Sequence, residues 1–298
     1  MSALRLQAMR AALNKVILGK EQVVDLALCC LLAGGHVLLE DPPGMGKTTL
    51  AHALAMAAGL SFRRLQCTSD LLPADVTGYS RFRQDTQKFE FLPGPVFTQV
   101  LLADELNRAS PKTQSALLEA MEEGQVSLDG ISYRLPEPFW VIATQNPQTQ
   151  TGTYALPESQ LDRFMMRLQL GYPDPRAERA LLLGSAQRRM VLDEPLCSLQ
   201  DLEVWRKEVM QVHTSDALMD YLLALLRASR TLPEFRHGLS PRAGQALRAS
   251  AQAKAWLSGR DHVLPDDVQQ ILASVVNHRL PAVESAARLL SSIVPVLP

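Results

Sequence analysis

HVLLEDPPGMGKTTLAHALAMAAG, residues 36–59, is the stretch that decides the fold. It opens on a short apolar run, His36–Glu40, and passes through a loop rich in proline and glycine. It then continues as a helical pattern, Thr48–Ala58, with Leu50, Ala51, Leu54, Ala55 and Ala58 on one stripe and Gly59 as the stop. A buried strand, a loop ending Gly46-Lys47-Thr48 and a helix together form the context in which the G-x-x-x-x-G-K-[ST] template holds phosphate, because a helix N-terminus then faces the anion. Where the template has its first glycine the chain has Asp41. That glycine serves the tight turn into the loop, whereas the later ones let the backbone approach the phosphates. Gly44 and Gly46 are in place, Lys47 can reach the β/γ-phosphates, and the Thr48 hydroxyl can ligate Mg²⁺. The expected nucleotide cradle is therefore Asp41, Pro42, Pro43, Gly44, Met45, Gly46, Lys47, Thr48 and Thr49. The competing reading is a Gly-Pro turn in front of an ordinary helix.

Two later strands carry the groups such a loop needs. Val100-Leu-Leu-Ala-Asp104-Glu105 is an apolar run ending in two carboxylates. Asp104 suits the water shell of a metal ion and Glu105 suits the polarisation of an attacking water. Two adjacent acids can also be a solvated turn, a reading that the loop some fifty residues upstream weakens. Phe139-Trp-Val-Ile-Ala-Thr144 runs into Gln145-Asn146-Pro147, placing a polar amide at a strand's carboxyl end, where open α/β sheets bind ligands. Arg163 follows the short helix Leu156–Asp162, and Arg242 sits in the first turn of a helix opened by Ser240-Pro241. A cation at a helix N-terminus opposes the macrodipole, so Arg242 has another reason to be there, and phosphate contact is one.

Across the chain, the runs His36–Glu40, Ser61–Cys67, Val100–Asp104 and Phe139–Thr144 read as strands buried on both faces, an α/β pattern with a parallel sheet. After Tyr172-Pro-Asp-Pro only helix signals follow: Ser215 before Leu218, Tyr221, Leu222, Leu225 and Leu226; Ser240-Pro241 to Gly259; and Pro265-Asp-Asp before Val268, Ile271, Leu272 and Val275. The expected division is an α/β domain over residues 1–172 and a smaller all-helical domain over 173–298. A net charge of −1 gives no global pull toward nucleic acid or anionic lipid. Cys29, Cys30, Cys67 and Cys197 have neither C-x-x-C spacing nor a histidine at metal spacing, and read as small apolar residues in a reduced compartment. The N-terminus is amphipathic rather than a signal peptide, and the apolar run 23–39 is broken by Asp25 and His36, so no membrane insertion is expected and a cytoplasmic location is.

The ordered blocks VILGKEQVV (16–24), LLEDPPGMGKT (38–48), FLPGPVFTQVLLADELNRA (91–109), LLEAMEEGQVSLDG (117–130), VIATQNPQTQTGTYALPESQLDRF (141–164) and LSPRAGQAL (239–247) resemble the AAA+ ATPases, and within them the MoxR family of the helix-2-insert clade. The resemblance spans nearly the whole chain, and Asp41 is itself a common first loop residue in that family. It implies a three-layer P-loop NTPase domain followed by an all-α lid, with ATP and Mg²⁺ as cofactors. Gly44, Gly46, Lys47 and Thr48 match Walker A, Asp104 and Glu105 match Walker B, Asn146 matches sensor 1 and Arg242 matches sensor 2. Arg163 matches the arginine finger, which acts on a neighbour's γ-phosphate; Arg108 and Arg167 remain rivals for it. Val16-Ile17-Leu18-Gly19 resembles the adenine-side contact, its plain reading being a helix connection. Residues 74–97, with Phe82, Phe89 and Phe91, resemble the helix-2 insert, and 124–136 the hairpin before sensor 1. Glu119, Glu122 and Glu123 read as one solvated helix face. The implied function is ATP hydrolysis by a hexameric ring that remodels client proteins, among them ones with a von Willebrand A domain or a metal centre. The alternatives are a nucleic-acid-handling motor, against which the charge balance counts, and a nucleotide switch without turnover, against which Glu105 counts.

Overall fold

A computed structural model describes residues 2–146, 152–183, 194–280 and 285–294. Pro147 and the segment up to 151, which the sequence places beside the sheet's polar amide, lie outside the described residues. The chain begins with two helices, α1 (Ser2–Val16) and α2 (Glu21–Leu32), and then enters strand β1 (Val37–Glu40) and helix α3 (Lys47–Ala57). Strand β2 (Phe62–Gln66) and the short helix α4 (Pro73–Thr77) lead to a hairpin, β3 (Gly78–Arg83) and β4 (Lys88–Pro93). Strand β5 (Val100–Asp104), a 3-10 turn and α5 (Pro111–Glu123) precede a second hairpin, β6 (Gln125–Leu128) and β7 (Ile131–Arg134). Strand β8 (Trp140–Gln145), α6 (Glu158–Leu161) and β9 (Met166–Leu168) complete the α/β part. Helices α7 (Pro175–Leu182), α8 (Leu199–Gln211), α9 (Asp216–Thr231), α10 (Pro241–Leu257), α11 (Pro265–Val276) and α12 (Ala286–Ile293) follow.

Five strands form one parallel sheet in the order β2-β5-β8-β1-β9. Its central strands are buried on both faces, and the pleat divides their side chains between two cores. Val37, Leu39, Val100, Leu102, Trp140 and Ile142 face one, while Leu38, Leu101, Ala103, Val141 and Ala143 face the other. The first core does not end at the sheet. It runs through α1, α2 and α3 into Leu222 and Leu225 of α9, Leu247 of α10 and Ile271 of α11, so the C-terminal helices share the α/β part's own apolar interior.

Strand β2 departs from the sequence reading. Ser61–Cys67 was expected to be buried on both faces, yet β2 is an edge strand on which only Leu65 is fully buried and Arg63, Arg64 and Gln66 are exposed. Charged side chains on an edge also guard it against pairing with another chain. The two hairpins lean on one another. Phe91 stacks on Tyr133 at 4.0 Å between ring centroids, and the Ser80 hydroxyl donates to Asp129 Oδ2 at 2.8 Å. The second hairpin turns on Asp129-Gly130, both at positive φ, the two-residue turn whose twist suits an antiparallel pair. At the far end of the first hairpin, Phe82 and Phe89 pack edge to face and are 45% and 73% exposed.

Candidate functional site: two ends of one sheet

At the carboxyl end of β1 the chain turns through Asp41-Pro42-Pro43 into the loop before α3. Gly44 and Gly46 stand at φ +83° and +87°. A Cβ added to Gly44 would meet no atom of the described residues within 4 Å, and the left-handed backbone by itself selects glycine there. Gly46 is the N-cap of α3 and offers no side chain to the helix, leaving the first-turn N–H groups free to face an anion. Pro43, Gly44, Met45, Gly46, Lys47, Thr48 and Thr49 line a cavity of about 350 Å³ together with Asp104, Glu105 and Asn146. Asp41 and Pro42 are not among its walls; their backbone carbonyls instead accept from the Lys47 amine.

Asp41 has a different task from the one expected of a loop residue. Its buried carboxylate accepts the backbone N–H of Leu170 at 2.6 Å and of Gly171 at 3.0 Å, just beyond β9. Beside it, Glu40 accepts from Gln145 at 2.6 Å and pairs with Arg167 at 3.0 Å. The loop is thus stitched to both strands that flank β1. Ile17 is part of the apolar core and Gly19 sits at φ +67° against Asp174; neither lines the loop cavity.

The acidic strand end is held by polar side chains from its neighbours. Thr144 on β8 donates its hydroxyl to Asp104 Oδ1 at 2.6 Å and accepts the N–H of Glu105 at 2.8 Å. Arg64 on β2 grips Asp104 Oδ2 at 2.6 and 3.1 Å. Glu105 has φ 56° and ψ 47°, a left-handed conformation that costs roughly 1–3 kcal/mol in a side-chain-bearing residue and marks a site whose surroundings impose it. Its carboxylate accepts from Asn146 Nδ2 at 3.0 Å, Gln66 at 3.1 Å and Arg108 at 3.1 Å. Asn146 in turn accepts from Lys47 at 3.3 Å, so one buried amide connects the lysine to the carboxylate. Desolvation draws the Lys47 amine below its ordinary pKa, while Asp41, Asp104 and Glu105 pull it back up. Cys67, behind the acids, is pushed up to about 12, first by burial and then by those carboxylates.

The donor set fits a magnesium nucleotide. Uncapped helix N–H groups and a lysine suit the phosphates, and a hydroxyl on Thr48 shares the cavity with the Asp104 carboxylate, the oxygen ligands that Mg²⁺ prefers.

The remaining expected residues are elsewhere. Arg163 and Arg242 line a second cavity, of about 320 Å³, with Gly34, Gly35 and His36 before β1 and Met165 before β9. They therefore lie at the amino end of the same sheet. Both bind Glu122, at the end of α5: Arg163 reaches Oε2 at 2.8 Å and Arg242 takes Oε1. Glu119, Glu122 and Glu123 are all exposed, in keeping with a solvated helix face, and Glu122 in addition pairs with both arginines; within the chain Arg242 contacts that carboxylate and does not line the phosphate-loop cavity. His36 lines the same cavity; the N–H of Val141 donates to its Nδ1, leaving Nε2 to face the Met121 carbonyl, and burial pushes its pKa down to about 4. Of the two rivals of Arg163, Arg167 is occupied by Glu40 and Arg108 by the chain's own Glu105.

Sequence reasoning missed Arg64, Gln66, Thr144 and Glu122. Arg64 and Gln66 did leave a signal, polar residues two apart in a strand, and Thr144 is the polar residue closing an apolar one. Glu122 left none, because its partners arrive from residues 163 and 242.

A phosphate loop between β1 and α3, an acidic end on a strand two places over and a helical domain after the sheet define a P-loop protein of the AAA class. Residues 36–166 match the family described as ATPase family associated with various cellular activities (AAA), and residues 224–293 match the AAA lid domain. The chain is 46% identical to protein YeaC of Bacillus subtilis over 90% of its own length and 84% of that protein's. It is 39% identical to the chaperone MoxR1 of Mycobacterium tuberculosis over 90% and 73% of the two lengths. A crystal structure of a Cytophaga hutchinsonii protein superposes with a TM-score of 0.90 at 35% identity, covering 100% of this chain and 95% of that one. The chain belongs to the MoxR family of AAA+ ATPases.

Proposed function

We propose that this protein hydrolyses ATP with Mg²⁺ and uses the cycle to remodel or activate a partner protein, working as a ring of its own copies, six-membered by family expectation. The observation that carries the reading is the division of the expected catalytic groups between the two ends of one sheet. Lys47, Thr48, Asp104, Glu105 and Asn146 converge on one cavity, while Arg163 and Arg242 stand together at the other end. The four-residue β1 between the two ends spans about 13 Å. That separation supports a role for the two arginines on a neighbour's nucleotide, and with it a closed ring as the assembly.

Within one site, Lys47 leaves the Asp41 and Pro42 carbonyls for the β/γ-phosphates, and Asn146 and Glu105 position and polarise the attacking water. Bound Mg²⁺ would neutralise phosphate charge, held through Thr48 and the Asp104 water shell. From the adjoining subunit, Arg163 and Arg242 stabilise the charge that develops on the γ-phosphate. Turnover per subunit measured across a dilution series tests this. It should collapse as rings dissociate, and turnover independent of protein concentration would sink the reading. A severalfold rise on adding duplex or single-stranded DNA at physiological salt would favour a nucleic-acid motor instead.

A further inference from the structure

Arg279, in the turn after α11, is a buried cation that the chemistry above does not use; its side chain is 4% exposed. A guanidinium has five N–H donors, and here five acceptors meet it. Nε donates to Asp162 Oδ1 at 2.6 Å. Nη2 donates to the Asp162 carbonyl at 3.1 Å and the Phe164 carbonyl at 2.7 Å. Nη1 donates to the Met165 carbonyl at 3.1 Å and to the Val275 carbonyl. Four of the five lie on residues 162–165, so one side chain grips the backbone on both sides of Arg163. The second Asp162 oxygen, Oδ2, accepts the hydroxyl of Ser240 at 2.9 Å. Ser240 is the N-cap of α10 and receives the N–H of Ala243, with Arg242 between the two. Next to Arg279, the buried His278 ring meets the Phe164 carbonyl at 3.0 Å. An ammonium has three donors and no plane, so lysine cannot make this set.

We infer that Arg279 is a positioning residue for catalysis in the adjoining subunit: through residues 162–165 and the Asp162–Ser240 link it fixes Arg163 and Arg242 as one rigid pair. The inference rests on the proposed trans action of those two arginines. Displacement of a charge-stabilising group by about 1 Å can cost on the order of 100-fold in rate, so a guanidinium that orders both groups has leverage without touching nucleotide.

The test uses rings assembled from two full-length variants. A Glu105→Gln donor is deficient in hydrolysis but presents its arginines; an Arg163→Ala acceptor keeps an intact phosphate site but presents no finger. Mixing them should restore hydrolysis. Adding Arg279→Gln to the donor should lower the restored rate at least about tenfold, with ring assembly unchanged by size-exclusion chromatography. Adding it to the acceptor should change the rate less than about twofold, because the acceptor's own site is at the opposite sheet end. A purely structural role would lower both equally, and that result, or no effect in the donor, overturns the inference. If the unmodified pair restores nothing, the trans reading fails and the inference with it. Asp162→Asn, at a less buried position, repeats the donor–acceptor comparison should Arg279→Gln not fold, and symmetrical losses there overturn the inference equally.

Discussion

The two ends of the central sheet are built on opposite plans. The carboxyl end is a cavity of backbone N–H groups, a lysine, two acids and an amide, linked to one another by hydrogen bonds that run within the site. The amino end is a knot of arginines, each satisfied by a carboxylate or carbonyl and none facing the phosphate loop of the same chain. The first end opens helix N–H groups onto a cavity, whereas the second closes its charges onto one another. Under the trans action proposed above, one chain would carry half of each of two sites, with the height of its sheet between them.

Arg163 is where the difference between the two ends has its largest expected effect. If Arg163 acts on a neighbour's nucleotide as proposed, Arg163→Ala should lower ATP turnover roughly 10³- to 10⁵-fold in steady-state assays while leaving nucleotide binding intact. A loss of binding would put Arg163 at the wrong end. Glu105→Gln should cost roughly 10²- to 10⁴-fold in turnover and still retain ATP on filter binding, the signature of a lost base with an intact cradle. Turnover like that of the unaltered protein would remove Glu105 from the chemistry.

Restoring the template glycine sharpens the contrast further. Asp41→Gly completes the phosphate-loop pattern yet should destabilise the protein by about 2 kcal/mol, because it removes the charged acceptor of two backbone N–H groups. A fall in the thermal midpoint of about 4–8 °C would report this, and an unchanged midpoint would refute it. The smallest expected effect is on pH dependence. Folded His36 stays neutral down to about 4 and buried His278 is also held well below the usual histidine range, each first by burial, whereas both take protons near 6.5 in the unfolded chain. Acidification therefore makes the unfolded state bind more protons, and stability should fall as pH drops from about 6.5 toward 4. Replacing both histidines with glutamine should flatten that stretch of the stability curve.

How much of this was legible in advance depended on the range of the interaction. Strands β1, β5 and β8 declared themselves as apolar runs because their own residues face both cores. The phosphate loop was legible because strand, glycines, lysine and helix are contiguous. Strand β9 went unread: Met166-Arg167-Leu168 is three residues long and is a strand only because β1 pairs with it. The exposed face of β2 followed from its edge position, which local composition does not specify. The grouping of Glu122 with Arg163 and Arg242, and of Arg279 with Asp162 and Ser240, joins segments about 40 to 120 residues apart, and no periodicity encodes such meetings.

Asp41 makes the nucleotide loop one end of a tether whose other end is the chain leaving the sheet toward the C-terminal helices. Push on Leu170 or Gly171 and the pull arrives at the first residue of the loop; reshape the loop around a phosphate and the same two amides feel it. A glycine at that position would let the loop move alone. With an aspartate there, two charge-assisted hydrogen bonds fasten the loop's entry to the backbone just beyond β9.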